Sequence, residues 1–176
     1  MVDVEADGPI PGDYSMTEVG VVRVDAGLGC TFHGKLRPLP GAKWDPNALA
    51  VVGYTHEHSQ TFNDPCTVMA QLKTWLQENN QGNRPMFISD NNGFDYGFVN
   101  WYFHHFIGAN PFGHSSTNLG SLYKGVVRDF SQNFKVCGPP CCVSFGSDAA
   151  GSATSMARTG GPYRKGRSIV ERFART

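Results

Sequence analysis

No apolar run in this 176-residue chain approaches the roughly 20 residues that a membrane helix needs. A helical membrane anchor is therefore not expected, and no membrane partner. Neither sign of charge dominates. Lys and Arg number 15, Asp and Glu 15, and the formal net charge is +0. No global basic field announces nucleic acid, which leaves that role to a local patch. The first residues lack a basic segment followed by an apolar one, so no export signal is expected. Cysteine is sparse and odd in number, five in all, with three crowded at Cys137, Cys141 and Cys142. That cluster lacks the second pair of a zinc site. Reduced thiols in a cytoplasmic setting are the expectation. Apolar residues make up 40% and charged residues 17%. That composition belongs to a globular chain of one ordinary domain, not a disordered one.

What the chain does have is an acidic start. Asp3, Glu5 and Asp7 alternate with Val2, Val4 and Ala6. On a strand, alternate residues share a face. Asp3 and Glu5 then project side by side while the valines enter a core. Crowded carboxylates repel one another and resist burial, so a cation is their natural partner. Hard oxygen ligands suit Mg²⁺ or Mn²⁺.

The remaining pattern predicts an α/β chain. Residues 1–6, 17–25 and 30–36 read as three strands of an antiparallel meander, with turn-rich loops at Gly8–Asp13 and Ala26–Gly29. Asp45-Pro46 and Asp64-Pro65 are helix starts, with Asp as cap and Pro in the first turn. The second of these carries Val68, Met69, Leu72, Trp75 and Leu76 at helical spacing. Residues 85–89 read as a buried strand, 94–107 as an aromatic helix and 118–130 as a further helix. A mixed sheet results: the meander plus a parallel strand reached by a helical crossover, flanked by helices. Asp95 falls in the first turn of the aromatic helix, just past the fourth strand. Sites in open α/β sheets lie at such strand ends.

Asp3-Val4-Glu5 matches the Asp-x-Glu motif of the DEDD 3′–5′ exonucleases and exoribonucleases, and Asn91-Asn92-Gly93-Phe94-Asp95 matches their Asn-x-x-Phe-Asp motif. Over residues 1–130 the chain resembles that family, in its DEDDh-like form, down to the aromatic run Asn100–Phe106. The resemblance implies an RNase H-like fold and metal-dependent hydrolysis of phosphodiester bonds at RNA or DNA 3′ ends, with a single-stranded 3′ end as partner. It implies two divalent cations, Mg²⁺ or Mn²⁺, held by Asp3, Glu5 and Asp95. It places Asn91 and Phe94 near the terminal nucleotide, although Phe94 serves equally well as a core residue.

The family's third motif is His-x-x-x-x-Asp. Asp148-Ala149-Ala150-Gly151 resembles the segment around that Asp, which makes Asp148 a fourth catalytic candidate. Val143 stands where the general-base His belongs, and Ser144 where a related group has Tyr. From Cys137-Gly138-Pro139-Pro140 onward the pattern changes to small, polar and then basic residues. The expected division is an exonuclease domain over 1–135 and a divergent, poorly ordered tail over 136–176, as either a replaced reading frame or true divergence would leave. The alternative function is a catalytically impaired nucleic-acid-binding relative. His104, His105 and His114 read as structural.

Overall fold

The computed structural model describes residues 1–132. The tail from 136 onward, with Asp148 and the cysteine cluster, lies outside them.

Three strands open the chain: β1 (Val2–Ala6), β2 (Met16–Val22) and β3 (Thr31–Lys35). They form the expected antiparallel meander in the order β1-β2-β3. Residues along β1 alternate between buried and half-buried. Val2, Val4 and Ala6 enter the core, and Asp3 and Glu5 take the other face. The second strand is shorter than expected, ending at Val22. Asp25 then folds back on Arg23 and accepts the Gly27 and Leu28 amides, which makes a turn where the alternation seemed to continue.

Both Asp-Pro helix starts hold. Asp45 accepts the Asn47 amide at 2.8 Å to open α1 (Pro46–Val52). A single turn follows, α2 (His56–Ser59). Asp64 accepts the Thr67 amide at 3.1 Å to open α3 (Pro65–Asn79). One face of α3, with Val68, Met69, Leu72 and Leu76, is buried. It packs on the core side of the meander, where Val68 approaches Gly34 so closely that a Cβ there would stand 2.4 Å from Val68 Cγ1. Overpacking a filled core costs about 1–3 kcal/mol. Gly34→Ala is therefore expected to lower the urea midpoint with an unchanged denaturant slope, as read in an equilibrium unfolding curve.

The fourth strand, β4 (Phe87–Ser89), lies against β1. Its ladder partner is β5 (Ser116–Asn118), which runs parallel to it. The sequence pattern assigned Asn118 to a helix, and Ser-Thr-Asn has no apolar alternation to mark a strand. Asn118 instead ends β5 and caps α5 (Leu119–Val127), accepting the Ser121 amide at 2.6 Å. Between these strands runs α4 (Asn92–Tyr102), followed by a π-helical turn, Phe103–Ile107. The single aromatic helix expected over 94–107 is thus two segments, closed by Gly108 at φ 81°. Phe98, Val99, Tyr102 and Phe103 are buried beneath them. The Tyr102 hydroxyl accepts the Met16 amide at 2.8 Å, tying α4 to the start of β2.

Candidate active site

The packing of β1 against β4 brings together side chains that are some 90 positions apart. Asp3 projects from β1, Asp90 follows β4, and Asp95 sits in the first turn of α4. One carboxylate oxygen from each lies within 4.8 Å of the others. Asp3 and Asp90 are half-buried, and Asp95 is 1% exposed. Asp90 was not singled out in the sequence. Its signal was position alone, the last residue before the Asn-x-x-Phe-Asp segment.

Asp95 is the electrostatic centre of this group. Its Oδ2 is buried without a hydrogen-bond partner. Burial, and then the negative charges of Asp3 and Asp90, push its pKa up to about 7, against the pull of Ser89 and the Val4 backbone. A buried carboxyl with an unpartnered oxygen and two further carboxylates beside it is costly unless a cation or a proton arrives. The donor set is all oxygen, which fits a hard divalent cation.

Glu5 shares the Asp3 face of β1 but stands outside the three-carboxylate cluster. In the ladder it sits opposite Glu18, which sits opposite Lys35. Glu18 is 1% exposed and fully engaged: His33 Nε2 lies 2.9 Å from it, the Tyr54 hydroxyl donates to it, and Lys35 stands 3.6 Å away. Burial pushes Glu18 up, but those hydrogen bonds and charges hold it below the usual carboxylate range. Lys35 also donates to the Tyr54 hydroxyl at 2.7 Å, which fastens the segment after α1 to the sheet.

The third acidic residue of the N-terminal run does not join the site. Asp7 lies past the end of β1, fully buried, accepting the Ser15 amide at 2.5 Å. Asn91 precedes α4 and is exposed, and its side chain makes no cap bond. Phe94 is half-buried, with its ring 4.8 Å from that of Phe98. His104, His105 and His114 are all exposed. No helix among the described residues is long and apolar enough to cross a membrane.

A meander beside a parallel pair, with helices around both and carboxylates gathered at the junction, is the mixed α/β architecture that the sequence led one to expect. A family model described as exonuclease, that of RNase T, matches residues 1–135. The 3′–5′ DNA exonuclease Cap18 of Escherichia coli is 36% identical over 127 residues, covering 71% of this chain and 67% of that protein. The chain belongs to the exonuclease family, as its two motifs implied, and is a 3′–5′ exonuclease-type hydrolase. The comparisons favour this over an impaired binding relative.

Solved structures agree on the fold. The nuclease domain of 3′hExo, a DEDDh family member bound to rAMP, superposes with a TM-score of 0.57 at 13% identity, covering 72% of this chain and 70% of that one. The zinc-bound form of the E. coli exonuclease I complex with single-stranded DNA gives 0.55 at 15% identity, covering 72% of this chain. This chain spans only 28% of exonuclease I.

Proposed function

We propose that this chain releases nucleotides from the 3′ end of single-stranded nucleic acid, using divalent cations held by the Asp3–Asp90–Asp95 cluster. The observation that carries this reading is the Asp3–Asp90–Asp95 carboxylate cluster, in which Asp95 is buried and its Oδ2 has no hydrogen-bond partner. Relatives bound to single-stranded DNA, to rAMP and to zinc support it.

Asp3, Asp90 and Asp95 would hold one cation between them. Glu5 lies two residues along β1 from Asp3, a step of about 6.6 Å. That placement suits a second cation shared with Asp3. When bound, two such cations, Mg²⁺ or Mn²⁺, neutralise charge on the attacking and leaving oxygens and lower the pKa of the attacking water. The residues themselves do three things. They fix the ligand oxygens on rigid strand and helix backbone. They keep Asp95 dry, so that its charge is fully felt. They leave Asn91 exposed and Phe94 half-exposed beside Asp95, where a terminal sugar and base would rest. Asp148 remains the candidate for a fourth carboxylate from the tail.

The test is a time course on 5′-labelled single-stranded DNA and RNA of one sequence, with Mn²⁺ or with EDTA. A ladder shortening from the 3′ end in Mn²⁺ alone is the expected result, and the two substrates rank the sugar preference. A full-length substrate in both lanes, or cleavage that EDTA leaves intact, overturns the reading.

A further inference from the structure

The strand that pairs with β4 has little apolar reason to stand where it does. All three residues of β5 are half-buried, and α5, which follows directly, buries none. The ladder is three residue pairs long: Phe87 with Ser116, Ile88 with Thr117, Ser89 with Asn118. A two-stranded pairing is marginal in water unless something else holds it. Here polar side chains do. Ser116 Oγ donates to Asn92 Oδ1 at 2.7 Å. Asn92 Nδ2 donates to the Thr117 carbonyl at 3.1 Å. Asn118 Nδ2 donates to the Asp90 carbonyl at 2.8 Å. All three bonds run between β5 and the short segment that joins β4 to α4.

That segment carries part of the carboxylate cluster. Asp3 sits inside β1 and Asp95 inside α4, so regular backbone hydrogen bonding supports both. Asp90 lies in neither a strand nor a helix. Its carbonyl is gripped from the neighbouring strand by Asn118. A peptide unit is planar, so fixing that carbonyl restricts where the Asp90 Cα, and with it the side chain, can stand. Asn92 reaches the cluster by a second route. It lies 3.3 Å from the hydroxyl of Ser89, which is fully buried and hydrogen-bonds the Asp95 carboxylate.

The identity of residue 118 separates two roles. Its Oδ1 accepts the Ser121 amide at 2.6 Å and so caps α5. Asp, Ser or Thr would cap as well. Among these four, asparagine alone adds an amide donor. That donor goes to Asp90, and capping does not account for it.

We propose that Asn118 is a positioning residue of the cation centre. It holds the Asp90 peptide so that the Asp90 carboxylate stays beside those of Asp3 and Asp95, and Asn92 steadies Asp95 through Ser89. Ligand oxygens must be held to within about 0.5 Å of their working geometry. Partners that orient metal ligands are worth about 10- to 100-fold in metal affinity. The inference rests on the cation reading of the cluster and deepens it. β5 adds no carboxylate to the cluster, yet it sets how tightly the cluster binds.

Asn118→Ser and Asn118→Thr test it. Each keeps a hydroxyl that can cap α5 and lacks the amide arm that reaches Asp90. Mn²⁺ affinity is measured by calorimetry at pH 8, with far-UV circular dichroism as the check that each variant is folded. The parent should bind Mn²⁺, and both variants should bind it at least about tenfold more weakly. Gly34→Ala, which disturbs the core at β3, should keep the parent's affinity. An affinity within about threefold of the parent's in either folded variant overturns the positioning role. So does an equal loss in Gly34→Ala, which would mark the effect as general destabilisation. A parent that binds no Mn²⁺ overturns the cation reading as well, so the two failures give different results.

Discussion

Replacing Asp95 with Asn is expected to lower metal-dependent hydrolysis by about a thousandfold, the scale on which cation stabilisation of the transition state acts. The fold should survive the change and, without metal, gain from it. In the parent, burial and the Asp3 and Asp90 charges hold the Asp95 pKa near 7, far above the 3.8 of an ordinary aspartate. A carboxyl raised in this way binds its proton more tightly when folded. Its contribution to stability is fully present below pH 3.8 and is lost as the pH rises to about 7. The loss is at most about 4 kcal/mol, at 1.36 kcal/mol per pKa unit. An amide does not titrate. The melting temperature of Asp95→Asn should therefore gain on that of the parent between pH 4 and pH 7, in metal-free buffer. Divalent cation should raise the parent's melting temperature more at pH 8 than at pH 5.5, where the proton competes for the same carboxylate. Asp95→Asn should lose that response. A variant that keeps wild-type hydrolysis, or that still responds fully to cation, would remove Asp95 from the site.

The second large effect is expected at Asp90. This carboxylate completes the three-oxygen cluster and adds charge against Asp95. Asp90→Asn should weaken Mn²⁺ binding by about 10- to 100-fold, the range seen when groups that support a metal site are removed. It should also move the Asp95 titration downward, because one of the charges that raise it is gone. Calorimetry reads the first effect, and carboxyl-carbon NMR reads the second. Unchanged Mn²⁺ affinity would show that Asp90 is a bystander.

Much of the site was legible because it rests on short-range rules. Alternation placed Asp3 and Glu5 on one face of β1, and the structure keeps them there. Asp45 and Asp64 announced their helices by capping chemistry, which is local. The Asn-x-x-Phe-Asp segment placed Asp95 in the first turn of α4. What could not be read depends on tertiary packing. Ser116–Asn118 becomes a strand only because the edge of β4 is there to pair with. Asp90 reaches Asp3 only because β4 lies against β1. Glu18 reads as an ordinary strand residue until its neighbours close over it. No spacing in the sequence announces that His33, Lys35 and Tyr54 meet at one carboxylate. Conversely, Asp7 continued the acidic alternation but left the face, because the strand ends at Ala6 and Ser15 claims its side chain.

The central claim is that the carboxylates joined by the packing of β1, β4 and α4 form a divalent-cation centre. It is tested most directly by a crystal of this protein grown with Mn²⁺ and measured for anomalous scattering. The account predicts a strong peak bounded by Asp3, Asp90 and Asp95, with any second peak on the Glu5 side of Asp3. An empty cluster at saturating Mn²⁺, or manganese bound only elsewhere on the chain, would contradict it.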